Sequence, residues 1–150
     1  MFRLIPITAG LASLAFALPA SAAVVVGDSG DNNLHGTSHA DTIYGKGGSD
    51  SINSRAGNDQ DFGGPGNDFI LDGGGNDVVK GGGGRDNFNV NRGADAVFGG
   101  RGNDQILVYH DGSADVINCG QGRHDRATYV GNREKHDTYI RCERVVAYYP

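Results

Sequence analysis

The chain has 150 residues, 26 of them Gly, with 37% apolar and 21% charged residues and a formal net charge of -5. Glycine is thus more than twice its usual level of about 7%, and 16 of the 18 acidic residues are Asp, a poor helix former, which excludes a helical bundle. The 13 basic residues are scattered without a Lys/Arg run, so the footprint of a nucleic-acid binder is missing and the fitting partner is a cation.

At the start of the chain, Met1-Phe2-Arg3 is a short positive head followed by an apolar stretch from Leu4 to about Leu18. Ala20 and Ala22 then offer an Ala-x-Ala site, which predicts a secretory signal peptide over residues 1–22, cleaved after Ala22. The apolar stretch is shorter than the roughly 20 residues a membrane span needs, and no Cys follows the cleavage region to carry a lipid. General secretory export to the periplasm or beyond the cell is the expected localisation, with no membrane insertion.

From Gly27 to Leu107 the sequence repeats every nine residues: GDSGDNNLH, GTSHADTIY, GKGGSDSIN, SRAGNDQDF, GGPGNDFIL, DGGGNDVVK, GGGGRDNFN, VNRGADAVF, GGRGNDQIL. The fourth position is Gly except at His39, the sixth is Asp except at Asn32, and the eighth is apolar except at Asp61. A weaker unit with Asp115 and Ile117 in the same columns follows an insertion at Val108 and Tyr109. A disordered linker has no reason to keep an apolar residue at every ninth position.

These units resemble the RTX (repeats-in-toxin, haemolysin-type) nonapeptide repeat, GGxGxDxUx, a calcium-binding parallel β-helix. GGPGNDFIL, GGGGRDNFN and GGRGNDQIL fit it at every fixed position. The resemblance covers residues 27 to about 118 and implies an all-β fold, a right-handed parallel β-roll. Each unit would form half a coil, so units 18 residues apart would stack. In that arrangement Asp50, Asp68, Asp86 and Asp104 line one edge, and Asp41, Asp59, Asp77 and Asp95 the other.

The residue types fit calcium on their own terms. Glycines at the first, second and fourth positions allow positive φ and turn carbonyls inward, and each Asp adds a hard oxygen. Calcium takes six to eight oxygens, which two stacked turns can supply and one cannot. Gly63-Gly64-Gly66, Gly81-Gly82-Gly84 and Gly99-Gly100-Gly102 are the intact glycine sets, and all fall on the first edge. The best sites are therefore expected between the units starting at 45 and 63, 63 and 81, and 81 and 99. Weaker ones are expected at 54/72 and 72/90, and the poorest where His39 intervenes. Several calcium ions would bind, and the chain would fold as they do, because a carboxylate ladder repels itself without them.

The eighth-position residues Leu34, Ile43, Ile52, Ile70, Val79, Phe88, Val97, Ile106 and Ile117 are the expected core. Asp61 interrupts that column, which predicts a local distortion with Phe62 turned inward. Residues 119–150 hold only three Gly but four of the six Tyr, and read as a small C-terminal β cap with strands near 127–130 and 139–148. Tyr148 and Tyr149 are expected in the core of that cap. Cys119 and Cys142, an even pair without CxxC spacing in an exported chain, predict a disulfide.

No HExxH, GxSxG or nucleophile signature is present, and the five His share no zinc spacing. Signal, repeats and cap account for the whole length, which leaves no expected catalytic domain. The expected function is an exported, non-catalytic calcium-binding protein with a structural or interaction role. A calcium-dependent module for an extracellular protein or polysaccharide, and a small secreted enzyme, stay open as alternatives.

Overall fold

The computed structural model describes residues 21–131 and 136–149. The signal peptide read over 1–22 lies, up to residue 20, outside the described residues.

Glycine-rich turns cut the chain into short strands, and the β-branched residues between them suit extended backbone. The strands are β1 (Val24–Val26), β2 (Asn33–His35), β3 (Thr42–Tyr44), β4 (Ser51–Asn53), β5 (Gln60–Pro65), β6 (Phe69–Leu71) and β7 (Val78–Gly83). They continue with β8 (Asn87–Val90), β9 (Ala96–Arg101), β10 (Gln105–Tyr109), β11 (Val116–Asn118), β12 (Arg126–Val130), β13 (Thr138–Ile140) and β14 (Arg144–Tyr148). No helix occurs among the described residues.

Odd-numbered strands form one seven-stranded sheet and even-numbered strands the other, each in chain order and with parallel pairing throughout. Every coil therefore contributes one strand to each sheet, and the protein is a parallel β-solenoid of about seven turns, the expected β-roll. Through the repeats the register advances by 18 residues per coil, as in Ile52↔Ile70↔Phe88. Past Tyr109 the coils lengthen: Val97 pairs with Ile117, Ile106 with Ala127, and Ile117 with Tyr139. The strands β12, β13 and β14 extend the same two sheets.

The core runs as a narrow column between the sheets. Ile43, Ile52, Ile70, Val79, Phe88, Val97, Ile106 and Ile117 are buried, with Leu34 half-covered at the first coil. Val90, Val108, Cys119 and Ala127 complete the column. Val90 and Val108 follow from strand alternation: where β8 and β10 run two residues past the eighth position, the next side chain again points inward.

Two expectations are corrected. Asp61 causes no distortion: it holds its place between Ile43 and Val79 in register and points inward, fully buried, where the Ser54 hydroxyl donates to it. Phe62 does not turn inward but stacks on Tyr44 at 4.9 Å, with Lys80 Nζ 5.4 Å from its ring centre. Nor do Tyr148 and Tyr149 enter a core; they are 56% and 65% exposed. Among the described residues β14 is the outermost strand of its sheet. Cys119 and Cys142 form a disulfide that ties β11 to the segment before β14.

Candidate metal centre

The tight stacking of the turns is what requires glycine. At Gly82 (φ 115°) and Gly84 (φ 132°), a side chain would meet both an unfavourable backbone conformation and the carbonyl oxygen of Gly64 or Gly66 one coil earlier. Gly64, Gly66, Gly100 and Gly102 stand in the same relation to Lys46, Gly48, Gly82 and Gly84. The carbonyls thus form columns along the roll, too close for any β-carbon.

First-position glycines face a different pair of oxygens. A β-carbon on Gly63 would lie 2.7 Å from the Gly81 carbonyl oxygen and would strike Asp68 Oδ2; one on Gly81 would lie 2.6 Å from the Gly99 carbonyl and strike Asp86 Oδ2. Gly45 and Gly99 sit likewise beside Asp50 and Asp104. Each of these turns brings its own carboxylate oxygen up to the carbonyl of the following coil.

The sixth-position aspartates form two ladders. On the first edge the backbone N–H of Asp50 donates to Asp68 Oδ1 (2.8 Å), Asp68 to Asp86 (2.9 Å), Asp86 to Asp104 (2.9 Å) and Asp104 to Asp125 (2.8 Å). Asn32 begins this ladder and Glu143 ends it. On the second edge Asp41, Asp59, Asp77, Asp95, Asp115 and Asp137 are linked in the same way at 2.7–3.2 Å.

In eight of these carboxylates one oxygen is thereby used and the other is not. The Oδ2 atoms of Asp50, Asp68, Asp86, Asp104 and Asp125 on one edge, and of Asp59, Asp77 and Asp95 on the other, are buried with no hydrogen-bond donor. Leaving a buried polar atom unsatisfied costs about 1–3 kcal/mol, more for a charge. Asp41 differs because Thr37 donates to both of its oxygens through its hydroxyl, and its N–H reaches Oδ2 at 2.5 Å.

Burial pushes the ladder carboxyls up: Asp68, Asp95 and Asp104 to about 6, Asp86 and Asp115 to about 7, and Asp77 to about 8. The N–H bond from the preceding coil pulls each of them down, and the charge of a neighbouring aspartate pushes it up again. A divalent cation removes both penalties at once, since it supplies the missing partner and offsets the repulsion. The donors, carboxylate and carbonyl oxygens from stacked turns, are those a calcium ion takes.

Residues 26–61, 62–97 and 73–106 match the family profile described as the RTX calcium-binding nonapeptide repeat, in four copies. Those matches span more than half of the chain, which belongs to that family of calcium-binding repeats. No curated relative and no solved structure matches it.

Three carboxylates in or beside the ladders were not legible as site residues. Glu143 takes the place of an Asp at the end of the first ladder, outside the nine-residue phase. Asp137 does so on the second, 22 residues beyond Asp115. Asp72, which opens the unit DGGGNDVVK where the repeat pattern has glycine, is buried beside Asp77 and Asp95. Its signal was its place two residues after the inward-facing Ile70, where continued strand alternation turns it into the interior.

Proposed function

We propose that this protein is an exported calcium-binding module whose roll forms as the ions bind, with a non-catalytic structural or interaction role. The observation that carries this reading is the set of ladder aspartates that each give one oxygen to the preceding coil and keep the other buried without a donor. The ligands assigned to calcium are the carboxylates of Asp50, Asp68, Asp86 and Asp104 and of Asp41, Asp59, Asp77 and Asp95. The carbonyls of the turns Gly63-Gly64-Gly66, Gly81-Gly82-Gly84 and Gly99-Gly100-Gly102 join them. Asp41 is the weakest member, because Thr37 already satisfies it.

Such a set suits calcium better than magnesium. Magnesium demands a near-ideal octahedron at 2.0–2.1 Å and keeps several of its waters, whereas calcium tolerates an irregular cage. Binding energy would appear as folding energy, because the turns come together only when the coils stack. Isothermal titration of the chain tests this: several calcium ions per chain are expected, with magnesium unable to compete at equal concentration. No binding, or equal binding of magnesium, would contradict it.

A second reading, a calcium-dependent binding module for an extracellular protein or polysaccharide, is favoured by two exposed aromatic features. Tyr44, Phe62 and Phe98 flank Lys80 on the outer face of one sheet, and Tyr148 and Tyr149 lie bare at the end of the other. Capture of a partner from the extracellular fraction in calcium but not in chelator, lost on Tyr148→Ala with Tyr149→Ala or on Phe62→Ala with Phe98→Ala, would support it.

A further inference from the structure

We propose that Asp72, Asp77 and Asp95 form a three-carboxylate cation site inside the second edge, one that takes calcium more tightly than the two-carboxylate sites along the rest of the roll. This rests on the calcium reading above and goes beyond it. Asp72 stands where the repeat pattern has its first glycine. The broken glycine pattern marks this edge as the poorer one, yet here the irregular residue adds a donor.

The geometry carries the assignment. Among the described residues this is the one group of three acidic or metal-ligating side chains whose ligand atoms all lie within 4.8 Å of one another. Calcium–oxygen distances of 2.3–2.6 Å allow two ligands on opposite sides of an ion to be about 4.6–5.2 Å apart, so one ion can touch all three carboxylates. Magnesium, at 2.0–2.1 Å, would need them drawn closer.

The three side chains are also built in. Asp72, Asp77 and Asp95 are only 1%, 1% and 2% exposed, and Oδ2 of each has no hydrogen-bond donor. Asp72 is held from the far side, where the N–H and Nδ2 of Asn91 donate to its Oδ1 at 3.0 and 3.1 Å. The Oδ1 atoms of Asp77 and Asp95 accept from the N–H groups of Asp59 and Asp77 at 2.8 and 2.9 Å. Each carboxylate is thus anchored through one oxygen and free at the other. Three negative charges in one buried cluster attract a divalent ion more strongly than two, and the site is expected to fill first.

Calcium binding to the full chain, resolved by competition with chelators of graded affinity, tests this directly. The wild-type chain should show one ion bound at least tenfold more tightly than the rest. Asp72→Asn keeps the shape of the side chain and its acceptor toward Asn91, and should abolish that tight class while the weaker ions remain. Asp86→Asn, on the opposite edge, should leave it in place. If Asp72→Asn fails to fold, Asp72→Gly serves, since it restores the repeat glycine and removes the buried charge, and it too should lack the tight ion. A tight class retained in either variant, or absent from the wild type while weaker calcium ions bind, would overturn this site alone. No calcium binding by the wild type would overturn both this site and the reading on which it rests.

Discussion

Asp68 gives one carboxylate oxygen to the backbone N–H of Asp50, one coil earlier at 2.8 Å, and leaves the other buried without a donor. The same half-satisfied arrangement recurs up both edges of the roll. It explains why an Asp, and not a Glu, occupies the sixth position: the short side chain reaches back across a single strand spacing of about 4.8 Å while its second oxygen stays inside the turn.

The ladder predicts unequal costs for equivalent substitutions. Asp86→Ala removes a carboxylate lying between Asp68 and Asp104, with Oδ2 unpartnered. Asp41→Ala removes one already satisfied by Thr37 near the end of the roll. Calcium titration should show the larger loss of affinity in Asp86→Ala, by about tenfold or more, and equal losses would refute the assignment of the inner ladder to the metal.

Protons should partly replace the metal. In the ion-free roll, burial raises Asp68, Asp86 and Asp77 from 3.8 to about 6, 7 and 8. A raised carboxyl binds more protons folded than unfolded, so its contribution is fully present below about pH 4 and is lost as pH climbs through 6 to 8. Circular dichroism of the calcium-free chain should therefore show more β structure at pH 4 than at pH 8. The opposite trend would contradict the burial of these groups.

Close stacking makes the turn glycines unequal. Gly84→Ala places a β-carbon at φ 132° against the Gly66 carbonyl, whereas a β-carbon on Gly83 meets nothing within 4 Å. The strained backbone alone costs about 1–3 kcal/mol. Thermal melting in calcium should show a marked fall in Tm for Gly84→Ala and little change for Gly83→Ala.

The buried pair Ser54 and Asp61 sits within an otherwise apolar column. Removing both with Ser54→Ala and Asp61→Val leaves no orphaned partner, a change that is neutral to stabilising when the shapes match. Burial raises Asp61 to about 7, so the wild-type chain loses stability as pH rises toward 7. The double variant escapes that loss, and its gain in Tm should be larger at pH 8 than at pH 5.

Much of this architecture was legible in the sequence because nine-residue phasing leaves few alternatives. The apolar eighth position marked Ile43, Ile52, Ile70 and Val79 as interior, and the 18-residue spacing of Asp50, Asp68 and Asp86 gave the ladder. What escaped depends on how far each strand runs. Once β8 continues to Val90, the first position of the next unit faces inward, and with it Ser54 and Asp72. That inward Ser54 lets Asp61 stay in register, so the distortion expected there is unnecessary. Beyond Tyr109 the coils lengthen to 20–22 residues: Asp115 is still recognisable in its column after the insertion, but Asp137 joins its ladder 22 residues later, where counting by nine loses it.

Far-UV circular dichroism of the chain at neutral pH, titrated with calcium and in parallel with magnesium, tests the central claim most directly. The buried, unpartnered carboxylates predict a coil spectrum without metal and a cooperative conversion to β structure with calcium alone. A full β spectrum before any metal is added, unchanged by calcium, would show that the roll stands without its ions and would contradict the account.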